Sequence, residues 1–249
     1  MWPRFHLLRR YARGVARMRA SDVLVASFPR SGSTRLRLIL AGLLTRDSSV
    51  RLSHEAFEQT VPELGGAGPW RRDEAWPLFI KTHRPYALPL ARPRAILLLR
   101  HPLDALASFH AYRTALIGAP SMSPSAFLRD PRHGLPRWIR HTCSWRGRVE
   151  HILRFKALMA EPADEIQALM QTLGTTVPQE ILDSAIANAT SDAARRLRST
   201  RRGGDQFESS FQFARTDSDS PRATFDPDDE AWAGRQLDAA GLVPLVRTL

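Results

Sequence analysis

The tightest constraint on this fold comes from residues 22–44. Asp22–Phe28 (DVLVASF) is a short apolar run with the composition of a buried strand, Pro29–Ser33 (PRSGS) breaks it, and Thr34–Leu44 (TRLRLILAGLL) returns leucine and isoleucine at helical spacing. Strand, tight loop and helix in that order predict one unit of a parallel sheet. Three more apolar runs bounded by proline or charge read as strands: Leu78–Thr82 (LFIKT), Arg94–Leu99 (RAILLL) and His151–Phe155 (HILRF). Helical patterns fall between and after them at Pro102–Arg113, Trp138–Arg148, Asp164–Leu173, Gln179–Ala189 and Asp228–Ala240. Alternating strands and helices place the chain in the α/β class, a three-layer α/β/α arrangement around a central parallel sheet.

At 249 residues and 43% hydrophobic content the chain suits one globular domain, read as 21–249, preceded by a basic amphipathic helix at 1–20. That helix mixes Trp2, Phe5, Leu7, Leu8, Tyr11 and Val15 with Arg4, Arg9, Arg10, Arg13 and Arg17. It lacks the apolar centre of a signal peptide, and the expectation is a helix packed on the domain, with peripheral membrane contact as the other option. No apolar run approaches the roughly 18 residues needed to span a bilayer. The single cysteine, Cys143, excludes an internal disulfide and a cysteine-based zinc site, which suits a cytoplasmic location.

The net charge of +11 is almost all arginine, because lysine occurs only at Lys81 and Lys156. Such a balance suits an anionic ligand. A nucleic-acid module would show a recognition helix, zinc fingers or a stacking sheet motif, and none is legible, so no specific nucleic-acid partner is expected. The segment Thr45–Pro77 reads as a short helix near Ser53–Thr60 followed by a loop. Ile117–Arg137, with four prolines, reads as a loop region with one short helix, and Ser199–Pro227 as a polar stretch without period.

The first loop has the chemistry of an anion cradle. Helices that begin at the carboxyl ends of parallel strands present unpaired N–H groups and a positive dipole end. Ser31, Gly32, Ser33 and Thr34 sit at that place, with glycine allowing close backbone approach, hydroxyls adding donors and Arg30 adding a cation. The loop lacks the spacing and lysine of a Walker A sequence, which disfavours ATP hydrolysis.

Phe28-Pro29-Arg30-Ser31-Gly32-Ser33-Thr34-Arg35, Lys81-Thr82-His83-Arg84-Pro85 and Arg100-His101-Pro102-Leu103-Asp104-Ala105-Leu106-Ala107-Ser108 each begin at the end of a predicted strand. Together and in this order they resemble the nucleotide-dependent sulfotransferase family, whose blocks read approximately Tyr-Pro-Lys-Ser-Gly-Thr-Thr-Trp, Lys-Thr-His-Leu-Pro and Arg-Asn-Pro-x-Asp-x-x-x-Ser. The similarity covers about residues 20–190. It implies a P-loop-kinase-like sulfotransferase fold and 3′-phosphoadenosine-5′-phosphosulfate (PAPS) as donor, with no metal required. It also implies that Arg100 and Ser108 contact the donor's 3′-phosphate, that Arg30 holds the 5′-phosphosulfate with Lys81 near the same oxygens, and that His83 is the general base. Imidazole titrates near neutral pH, and the strand period puts Lys81 and His83 on one side of the sheet.

The chain departs from the family pattern in three places. Arg35 stands where an aromatic residue commonly stacks on adenine. Phe155 matches a tyrosine position without its hydroxyl. The late Arg-Lys-Gly segment is faint, with Arg215 favoured as a 3′-phosphate ligand over the cluster at Arg201–Asp205. The implied reaction is sulfuryl transfer to the hydroxyl of a small molecule, glycan or lipid, with the loops at Thr45–Pro77 and Ile117–Arg137 shaping the acceptor pocket. A phosphotransferase of the same fold and a catalytically silent nucleotide-binding protein are the alternatives.

Overall fold

The computed structural model describes residues 2–45, 53–66, 68–73, 76–116, 122–199 and 224–249. Four parallel strands form its sheet: β1 (Val23–Ser27), β2 (Phe79–Thr82), β3 (Arg94–Leu99) and β4 (His151–Arg154), in spatial order β2-β1-β3-β4. The first strand is central, with Val25 opposite Lys81 on one side and Ile96 on the other. The carboxyl ends of all four strands therefore open on one edge, and the described loops after β1, β2 and β3, which lead to Arg30, His83 and Arg100, leave from it.

Two cores flank the sheet because successive strand residues point to opposite faces. Leu24, Ala26, Ile80, Leu97 and Leu99 face one cluster, which includes the fully buried Trp138 and Trp145. Val23, Val25, Phe79, Ile96 and Leu98 face the other. The first face is covered by α1 (Trp2–Arg17), α4 (Pro102–Leu116), α5 (Pro124–Arg129), α6 (Leu135–Trp145) and α11 (Pro227–Ala239). The second is covered by α2 (Ser33–Thr45), α3 (His54–Thr60), α7 (Phe155–Ala160), α8 (Pro162–Thr172), α9 (Gln179–Asn188) and α10 (Ser191–Ser199). Short α12 (Val243–Val246) follows. The result is the three-layer α/β/α arrangement.

Tyr11 and Val15 of α1, with Met18 just after it, pack on the first core. Arg72 clamps this junction by pairing with buried Asp22 and donating to the Arg17 carbonyl at 2.9 Å. A guanidinium at the last carbonyls of a helix is electrostatically favourable. Among the described residues no helix is long and apolar enough to cross a membrane.

The structure corrects several expected boundaries. β4 ends at Arg154, and Phe155 opens α7 instead of closing the strand. α6 begins at Leu135, three residues before the expected Trp138, because Pro136 occupies the first turn, where its missing N–H costs nothing. The expected helices did not include α10 (Ser191–Ser199), which follows α9 directly. The segment following α3 is more than a loop, since Pro62–Leu64 lies alongside β2 through Lys81 N–H to Pro62 O and Leu64 N–H to Lys81 O, both 2.8 Å.

Candidate active site

The first loop turns on two left-handed residues, Arg30 with φ of 69° and Gly32 with φ of 93°. Gly32 is required twice over. Its φ suits residues without a side chain, and a Cβ there would lie 2.5 Å from Phe155 Cδ2 and 2.7 Å from Cε2. The Phe155 ring thus forms the floor of the loop, and the Arg100 guanidinium lies over the same ring at 4.4 Å. Arg100 Nη1 in turn donates to the Arg30 carbonyl at 3.1 Å. Arg30 Nε donates to Ser108 Oγ at 3.1 Å, and its guanidinium lies 5.2 Å from the Tyr112 ring centroid.

Arg30, Gly32, Arg100, Ser108 and Phe155 are therefore one continuous set of contacts beside the start of α2. The first intrahelical bond recorded there runs from Leu36 N–H to Gly32 O. The N–H groups of Gly32 to Arg35 then have no intrahelical acceptor and face outward at the positive end of the dipole. Ser31 Oγ, Arg35 Nε and Arg100 Nε are buried without a hydrogen-bond partner among the described residues. Buried donors rarely stay unpaired, so this donor set, gathered at the start of α2, fits a phosphate or sulfate group. Burial holds the Arg100 pKa below its usual value, which strengthens the case for an anion beside it.

A second cluster forms where β1 and β2 end. His83 Nδ1 lies 2.7 Å from the Ser27 carbonyl and 3.3 Å from Ser27 Oγ. A carbonyl only accepts, so the proton sits on Nδ1 and the Nε2 lone pair is left for an incoming proton. Burial first, and then the Lys81 charge, bring the His83 pKa down to about 3, while Glu63 and the Ser27 contact act in the opposite direction. The imidazole is thus neutral at physiological pH.

Lys81 does not project freely toward the first loop. Its ammonium donates to Glu63 Oε2 at 3.1 Å, in a pair made possible by the bridge between Glu63 and Lys81. Burial lowers the Lys81 pKa and Glu63 partly restores it, while Lys81 is the chief influence lowering that of Glu63 against the upward push of burial. The strap after β2 is fixed by Trp145 Nε1 donating to Arg84 O at 2.9 Å and by Tyr86 N–H donating to Ser144 Oγ at 3.0 Å. Both partners belong to α6 or border its end.

The two clusters together account for every predicted site residue except Ser33, Thr34 and Arg215. Ser33 and Thr34 occupy the first turn of α2, whereas Arg215 lies outside the described residues, as does the competing stretch 201–205. Glu63, Ser27, Tyr112 and His141 were not singled out in the sequence. Nothing in the spacing of Glu63 pointed to Lys81. Among the described residues no group of three or more His, Cys, Asp or Glu could hold a metal ion.

The chain is 24% identical to bovine (Bos taurus) sulfotransferase 1A1 over 186 residues, covering 66% of this chain and 63% of that one. It is 25% identical to cytosolic sulfotransferase 8 of Arabidopsis thaliana over 196 residues, covering 66% and 57%. The chain thus spans about three-fifths of the length of these relatives. Among solved structures it is similar to mouse sulfotransferase SULT7A1 complexed with PAP, with a TM-score of 0.66, 14% identity and coverage of 96% and 91%. It is also similar to retinol dehydratase in complex with androsterone and the inactive cofactor PAP, with a TM-score of 0.65, 16% identity and coverage of 93% and 85%. The sequence pattern of the sulfotransferase domain matches residues 20–231, and the chain belongs to that family.

Proposed function

We propose that this chain transfers a sulfuryl group from PAPS to the hydroxyl of an acceptor. The observation that carries the proposal is the joint placement of Arg30, Gly32, Arg100, Ser108 and Phe155 around unpaired buried donors, with a neutral His83 anchored through Nδ1 at the neighbouring strand end. The donor supplies a sulfuryl group bound to a phosphate leaving group. Arg100 and Ser108 would hold its 3′-phosphate, and Arg30 with the N–H groups opening α2 would hold the phosphosulfate. Because Arg30 and Ser108 already touch, binding would draw both ends of this contact onto the ligand together. Arg215 is assigned to the same 3′-phosphate.

In the proposed reaction the acceptor oxygen forms its bond to sulfur as the bond from sulfur to the phosphate oxygen breaks. His83 Nε2 takes the hydroxyl proton and Arg30 stabilises negative charge growing on the leaving phosphate, a role Lys81 would share only as its pair with Glu63 opens. Nearby anionic groups raise the basicity of an imidazole, so His83 is a stronger base with the donor beside it than alone. A phosphotransferase reading is less well supported, because the loop lacks the spacing of a Walker A sequence and has Ser33 after Gly32 where that sequence carries its lysine.

Titration of the chain with 3′-phosphoadenosine-5′-phosphate (PAP), followed by thermal shift and calorimetry, tests this. Binding is expected, and Arg100→Ala is expected to weaken it about tenfold or more through loss of a charge-assisted contact. No binding by the intact chain, or equal binding by the variant, would overturn the donor assignment.

A further inference from the structure

Beside the two clusters lies a third group that the proposed chemistry leaves unused. Arg137 of α6 lies with its guanidinium 5.6 Å from the Phe28 ring centroid, at the entrance to the first loop. Arg113 of α4 lies 6.0 Å from the Phe109 centroid, and Phe28 and Phe109 meet edge to face at 6.0 Å. Arg84, next to His83 in the chain, lies over Tyr11 at 4.4 Å, with its carbonyl held by Trp145. Arg140, one turn along α6 from Arg137, donates to the Pro131 carbonyl at 2.6 Å. Three elements thus bring four arginines within electrostatic reach of one another, Arg137 and Arg113 on the paired rings of Phe28 and Phe109, Arg84 on Tyr11 and Arg140 on a backbone carbonyl.

None of these four arginines has a carboxylate partner among the described residues. Their mutual repulsion is felt at Arg137, whose pKa is lowered by burial first and then by Arg113, Arg140 and Arg84. His141, one turn after Arg137 on the same helix, is 1% exposed, and neither of its ring nitrogens has a hydrogen-bond partner among the described residues. Its ring meets Phe28 at 6.2 Å, and it is close enough to His83 to influence its protonation. Like charges gathered on apolar rings, beside an unsatisfied imidazole, are a receptor for an anion brought from outside.

We propose that Arg84, Arg113, Arg137 and Arg140, with His141 beneath them, form an acceptor subsite for an anionic group, so that the substrate is a hydroxyl compound that also carries a carboxylate, sulfate or phosphate. The proposal rests on the sulfotransferase reading and narrows it. The hydroxyl would lie at His83 and the anion a short molecular length away on the arginines. Androsterone and retinol, the ligands found with PAP in similar solved structures of retinol dehydratase, carry no charge.

The test uses three probes built on one ring: 4-hydroxyphenylacetate, its methyl ester and 4-hydroxyphenyl sulfate. Their binding to the full chain is measured by calorimetry with PAP present, and their turnover with PAPS. The two anions are expected to bind about tenfold or more tightly than the ester, the difference a charge-assisted contact supplies. Arg140→Gln and Arg113→Gln are each expected to shrink the anion-to-ester ratio severalfold, and their combination to bring it near one. The urea midpoint and PAP titration of each variant establish that it is folded. Equal binding of acid and ester by the unaltered chain, no anion binding at millimolar concentration, or an unchanged ratio in the double variant would each overturn the subsite. If the chain fails to bind PAP but still prefers the anions, the subsite stands and the donor assignment falls; the reverse pattern separates them the other way.

Discussion

Replacing Gly32 by alanine tests the architecture of the donor loop at its tightest point. Two costs are expected. The backbone has φ of 93°, where an alanine is strained by about 1–2 kcal/mol. The new Cβ would also sit 2.5 and 2.7 Å from two Phe155 ring carbons, against an ordinary carbon separation of roughly 3.5–4 Å, so the ring must retreat by about 1 Å. Overpacking of this kind costs about 1–3 kcal/mol, for a total of roughly 2–5 kcal/mol. That is a large share of the roughly 5–15 kcal/mol stability of an ordinary domain, yet it leaves a folded protein to examine.

A double-variant cycle with Phe155→Ala separates the terms. Without the ring, Gly32→Ala keeps its backbone strain and loses the clash, so its cost in urea unfolding is expected to fall by about 1–3 kcal/mol. The displaced ring also carries the Arg100 guanidinium at 4.4 Å, so PAP affinity is expected to fall with Gly32→Ala even where the protein is fully folded. A single variant as stable as the parent, or one that costs the same with and without the ring, would refute the argument that Phe155 is the floor of this loop.

Both His83 and His141 are held near pKa 3 by burial, against an ordinary value of 6.5. Unfolding therefore takes up protons between those values, and stability is expected to fall as pH drops from about 6.5 toward 4.5, by up to about 1.4 kcal/mol per pH unit for each imidazole. His141→Phe should remove one proton from that slope, and an unchanged slope in urea midpoints would contradict it. His83→Asn can still donate to the Ser27 carbonyl but has no Nε2 base. Turnover should drop about 10²–10⁴-fold with PAP binding kept, and substantial residual turnover would exclude His83 as the base. Asp229→Ala removes the acceptor for Ser125 at 2.7 Å and the partner of Arg129, which together tie α11 to α5. A loss of roughly 1–3 kcal/mol is expected, and urea unfolding without any change would show the tie to be dispensable.

The parts of the fold and site legible in the sequence are those whose chemistry is local. A buried strand followed by a glycine loop and a leucine-rich helix declares its geometry within about two turns of chain, which is why β1 and α2 were placed within a residue of their observed bounds. Phe155 could be named but not understood, since its contact with Gly32 joins two loops from different strands and α7 begins where a strand was expected to end. Glu63 was invisible because its partnership with Lys81 depends on one bridge residue beside β2, and backbone bridges leave no side-chain pattern. The Ser27 carbonyl that orients His83 is a main-chain atom and has no sequence signature at all. Pro136 was read as a breaker because proline is one in most positions, whereas in the first turn of α6 it is a starter.

The cations of the site divide in a way that composition could not reveal. A surplus of 11 positive charges says only that anions are welcome somewhere. Lys81 is the buried cation with a carboxylate supplied by the chain itself, and with that pair in place its charge is held at a fixed point beside His83. Arg100 and Ser31 retain unpaired donors beside Gly32, whose missing side chain lets the Phe155 ring close under the loop. Arg84, Arg113, Arg137 and Arg140 rest on rings or backbone carbonyls, with no carboxylate among the described residues, and repel one another. Folding alone would favour dispersing such charges, and a like-charge cluster lowers stability until an anion relieves it. The first group follows β1, whose Ser27 carbonyl anchors His83, and the second includes Arg84, the neighbour of His83 in the chain, so a donor anion on the first and an acceptor anion on the second would bring the reacting atoms toward one imidazole.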